Sequence, residues 1–177
     1  MWCPVTAYEK RNLTMKEESK EKIEEKIERL LGEGKSRKAI LGTLQGKEEP
    51  GKLLFYLNNV SRPQDRRKYQ VHNLVLVLVL TFVTSRKLIT IFSFGAFDLV
   101  LLISLVAPVI NLYLLRETLR FRRIGYQFLC MLSLLALLLP ENHFLPEAGL
   151  QILMAGLAGF LYLRLFPGRE MIREVRG

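Results

Sequence analysis

The chain has 177 residues, half of them hydrophobic, with 26 Lys or Arg against 17 Asp or Glu and a formal net charge of +9. That excess is spread along the chain, 16 basic against 11 acidic residues up to Gln70 and 10 against 6 beyond it, and cytoplasmic retention of Lys and Arg in a membrane protein explains it without nucleic acid. Its two cysteines, Cys3 and Cys130, have neither CxxC nor zinc spacing, and the apolar blocks that fill the chain from Val71 to Phe166 exclude an ordinary soluble domain of this length.

Residues 1–14 lack the apolar core of a secretory signal and read as a disordered leader, with Met15 as an alternative start. The Asn12-Leu13-Thr14 sequon is too short a pattern to carry weight. Thr14 with Glu17 forms a capping box, and Ile23, Ile27, Leu30 and Leu31 recur at helical spacing after it. Gly32 and Gly34 end that helix. Ser36 then caps a short helix through Leu44, and Pro50 opens a third bearing Leu53, Leu54, Leu57 and Val60. Residues 15–60 are thus expected to form a three-helix module whose small apolar cluster invites a protein partner or self-association. Helix, turn, helix is also the order of a DNA-binding motif, with Lys35, Arg37, Lys38, Lys47 and Lys52 nearby. The would-be recognition helix is apolar in its middle, which favours packing over base readout, so nucleic acid is not an expected partner.

Ser61, Pro63 and Gln64 start a further helix over residues 61–70, and Arg66, Arg67 and Lys68 place a basic group just ahead of the first apolar block. Four spans are expected, at about 69–87, 97–115, 124–139 and 148–166, giving an all-α fold. Arg116, Arg120, Arg122 and Arg123 lie in one turn, and Arg164 and Arg169 lie at the end of the chain, whereas the turn Pro140 to Glu147 has Glu141, His143 and Glu147 and no Lys or Arg. Basic residues are retained on the cytoplasmic side, so both termini are placed in the cytoplasm and the protein in the inner membrane, with 167–177 as a basic tail. Arg86 and Lys87 then face outward, and Leu88 to Phe94 become a connector leading to Asp98 at the start of the second span.

Within the spans, Ser104, Ala107, Pro108 and Asn111 share one face, and Gln127, Cys130, Ser133 and Ala136 recur every third residue. Ala155 and Gly159 make a small-xxx-small pair. These positions serve helix packing, or else line a pathway. His143 with Glu141 and Glu147 is a weak metal set, and no nucleophile–base pair or cofactor motif occurs at catalytic spacing. The sequence therefore points to a non-enzymatic membrane interaction or assembly subunit, without cofactor. A small oligomeric transporter or channel is the alternative, and a membrane-tethered helix-turn-helix regulator comes third.

Overall fold

The computed structural model describes residues 22–45, 50–94, 99–138, 145–168 and 172. The leader, Asp98, Glu141, His143 and Arg169 lie outside the described residues. Those described are all-helical: α1 over residues 22–32, α2 Arg37–Leu44, α3 Pro50–Asn59, α4 Pro63–Phe94, α5 Leu99–Leu119, α6 Arg123–Ala136 and α7 Glu147–Leu165. They fall into two compact units, Met1–Pro63 with Ile172–Gly177, and Gln64–Met171.

In the first unit, α1 closes on Gly34, whose φ of +80° requires a residue without a Cβ. The Gly34 N–H donates to the Leu31 carbonyl at 3.1 Å and the Lys35 N–H to that of Leu30 at 3.2 Å, which satisfies two carbonyls otherwise orphaned at a helix end. The Ser36 hydroxyl accepts from the Ala39 N–H at 3.3 Å and so fixes where α2 begins. Ile27, Leu30, Leu31, Ile40, Leu44, Leu53, Leu57 and Val60 are buried together, with Ile23, Leu41 and Tyr56 at the edge. Arg37 is buried beside them and donates to the Val60 carbonyl at 3.1 Å. The Asn58 side chain pairs in both senses with the backbone of Ile172, donating to its carbonyl at 2.8 Å and accepting from its N–H at 3.2 Å. Residues from either side of the second unit's sequence therefore meet in the first.

The second unit contains α4 to α7. Three of these helices, α4, α5 and α7, are long and apolar enough to cross a membrane. α6 is shorter: its 14 residues extend about 21 Å at 1.5 Å per residue. Helix α4 has 32 residues, about 48 Å. The connector expected over Leu88 to Phe94 is instead helix, since no Gly or Pro interrupts it before Gly95. The Thr90 hydroxyl also folds back onto the Arg86 carbonyl at 3.0 Å.

Leu76, Leu80 and Val83 of α4 meet Leu114, Tyr126, Leu129, Met154, Ala158, Leu161 and Leu165 in one core. The opposite faces remain apolar yet exposed, as with Leu74, Leu78, Phe82, Val106 and Val109. A contiguous surface of that kind is unfavourable in water and suited to lipid. The axes of α6 and α7 approach closely. A Cβ on Gly159 would touch Cys130 Sγ at 3.6 Å, and Ala155 is buried. The backbone of α4 stays farther from its neighbours and reaches them through its side chains.

Candidate functional site

The polar interior of the second unit has two levels. The first lies where α5 turns into α6. α5 ends on Phe121 in the left-handed region, φ 53°, with the Phe121 N–H on the Thr118 carbonyl at 3.0 Å and the Arg122 N–H on that of Glu117 at 3.0 Å. This is the closure glycine provides in α1, formed here by a bulky side chain at a backbone cost of about 1–2 kcal/mol. Phe121 packs against the core, and the Arg66 guanidinium stands 5.9 Å from its ring. The turn brings Arg122 against Glu117 at 3.3 Å, both buried.

On the same level the Tyr126 hydroxyl donates to Asn73 Oδ1 at 2.7 Å, and Asn73 Nδ2 donates to the Thr118 carbonyl at 3.2 Å. Three helices are thereby tied by one hydrogen-bonded chain. Arg123 adds a tie to α7, donating to the Tyr162 hydroxyl at 3.0 Å and lying over its ring. Substituting Tyr126→Phe leaves a buried amide short of a donor, and should cost about 1–3 kcal/mol. The expected result is a lower midpoint of thermal unfolding in detergent, with helical content at low temperature unchanged.

The second level is a pair of adjoining cavities of about 340 and 190 Å³ that share Val83, Lys87, Ala107 and Gln151 as walls. Arg86 and Glu147 form an ion pair at 2.7 Å on the larger one, joining α4 to α7. Asn111 and Ser133 line the smaller, against Leu129, Leu132 and Met154. Gln151 is 5% exposed and Ser133 2%. Among the described residues, the side chains of Lys87, Asn111, Ser133 and Gln151 have no hydrogen-bond or ion-pair partner. Four polar groups thus converge on space the protein does not fill.

Of the positions singled out by sequence, the structure brings Ser104, Asn111 and Ser133 to these cavities. Pro108 is buried but lines neither, Gln127 is exposed on the outer face of α6, and Ala155 and Gly159 pack along α7. The basic residues separate by environment. Arg67, Lys68, Arg116 and Arg120 are exposed, whereas Arg122 is buried in its pair with Glu117 and Arg123 is half-buried on Tyr162. Lys87 and Gln151 were not expected at a site, and Glu147 was weighed only in a weak metal set with Glu141 and His143. The signal was present in Gln151 and Lys87, polar residues within reach of otherwise apolar helical stretches. Asn73, Thr118, Gly125 and Tyr126 carried no local pattern of their own. Among the described residues no three His, Cys, Asp or Glu side chains gather as a metal set. No protein-family model, curated protein or solved structure matches the chain.

Proposed function

We propose that this chain is a multi-pass membrane subunit acting by non-covalent association, with four crossings, both ends in the cytoplasm and its first unit available to a protein partner or a second copy. The observation that carries the reading is the pairing of Asn58 with Ile172, which joins residues that precede α4 and follow α7. An odd number of crossings would leave those residues on opposite sides of a bilayer about 30 Å thick. Three helices are long enough to cross, so the pairing supports counting α6, with its 14 residues, as a fourth. Positive-inside statistics then favour the side carrying Arg116 and Arg120 as cytoplasmic.

For the association itself, Phe55 is the large apolar side chain left half exposed among the described residues of the first unit, standing edge-on to Tyr56 on α3. The test is purification of the tagged full chain from native membranes in mild detergent, with quantitative mass spectrometry and measurement of its mass. The reading expects one stoichiometric partner or a self-pair that Phe55→Ser weakens. A strict monomer with no stoichiometric companion would overturn it.

A further inference from the structure

We infer that the paired cavities of the second unit form a binding site for a single-chain anionic amphiphile, a carboxylate or phosphate monoester carried on an apolar chain. The inference goes beyond association with a protein partner and stands whether or not one exists. It begins from charge. Arg86 is neutralised by Glu147 at 2.7 Å, whereas Lys87, on the wall common to both cavities, has no acidic partner among the described residues. Lys87 is half-buried, and an ammonium partly withdrawn from water is favoured by an anion beside it; here it borders open volume rather than a carboxylate.

The neutral polar groups point to the same space. Ser133 and Gln151 are each more than nine-tenths buried, and neither has a side-chain hydrogen bond among the described residues. Their polar atoms are not among the fully buried side-chain atoms left without a partner among the described residues, so they open onto the cavity, where a ligand's oxygens can be received. Asn111 adds a third donor on the same wall.

The remaining lining sets the rest of the ligand. Leu129, Leu132 and Met154 make the smaller cavity largely apolar, which suits a hydrocarbon chain and not a hydrated inorganic ion. Ser104 and Ala107 on the larger cavity are exposed at the outer surface of the unit, giving a side entrance from the surface that the bilayer would cover. A ligand delivered laterally from lipid, head group toward Lys87 and chain along Leu129 and Met154, satisfies charge, hydrogen bonding and apolar contact together. Water alone would satisfy the hydrogen bonds and leave the charge unmatched.

The test is equilibrium binding of radiolabelled palmitate to the full chain in a neutral maltoside detergent, with methyl palmitate and inorganic phosphate as comparison probes. Saturable binding of one palmitate per chain is expected, with methyl palmitate at least about tenfold weaker because the charge-assisted hydrogen bond is gone. Lys87→Gln should weaken palmitate by a similar factor, Lys87→Arg should retain most of the affinity, and Gln151→Leu, of similar volume, should also reduce it. Circular dichroism melting in the same detergent identifies any variant that fails to fold, and Lys87→Arg keeps the charge assignment testable if Lys87→Gln is lost. Equal binding of palmitate and its methyl ester, undiminished binding by folded Lys87→Gln, or displacement of palmitate by inorganic phosphate at equal affinity would overturn the assignment.

Discussion

Glu117→Leu is expected to be among the most damaging single substitutions in the second unit, at about 3–5 kcal/mol, because it removes the carboxylate from beside the Arg122 guanidinium in a buried turn. Glu117 is 3% exposed and Arg122 7%, with their charged groups 3.3 Å apart. Replacing both, Glu117→Leu with Arg122→Met, removes the guanidinium as well and should recover most of the loss. Unfolding of the three variants and the parent in sodium dodecyl sulfate measures the coupling. A double variant no better than the worse single one would show that the pair contributes through something other than charge compensation.

Gly125→Ala is expected to be nearly as severe, and for a steric reason. A Cβ at that position would sit 2.9 Å from the Thr118 backbone nitrogen and 3.0 Å from the Glu117 carbonyl carbon and Cβ. Two of these three atoms belong to backbone, so no rotamer change relieves the overlap and α6 must move off the end of α5. Overpacking of this kind costs about 1–3 kcal/mol. The displacement would also draw Tyr126 away from Asn73, so loss of that hydrogen bond should accompany it. Gly156→Ala, where an added Cβ meets nothing within 4 Å, is the matched control and should be close to neutral. Comparable destabilisation by the two would argue against the close approach as the cause, since alanine has the higher helix propensity at either position.

Local chemistry in the chain was legible wherever neighbours in sequence are neighbours in space. Ser36 caps α2, Pro50 begins α3, and Gly34 ends α1 as its freedom at positive φ allows. The buried cluster of the first unit follows the helical spacing of Ile27, Leu30, Ile40, Leu44, Leu53 and Leu57, with Leu31 and Val60 completing it. What periodicity could not supply were contacts between distant positions. Tyr126 and Asn73 are 53 residues apart, and nothing in either local pattern names the other.

Arg86 and Lys87 read in sequence as the end of a span; the helix continues past them to Phe94, Arg86 is met by Glu147 from α7, and Lys87 lines a cavity. Pairing and enclosure can hold a charge along a long helix, and both depend on tertiary structure. The same holds for Arg122, which reads as a free basic residue of a turn and is buried against Glu117.

The central claim is that α4 to α7 cross the membrane four times and return the chain to the side from which it entered. Cys130 is the cysteine among the described residues, half-buried against Gly159, so a variant lacking Cys3 and with Cys130→Ser provides a background for single cysteines at Asn142 and Gly168. In intact cells a membrane-impermeant maleimide should label the cysteine at Asn142 and leave that at Gly168 unlabelled until the membrane is opened. Labelling of both positions from outside, or of Gly168 alone, would contradict the account.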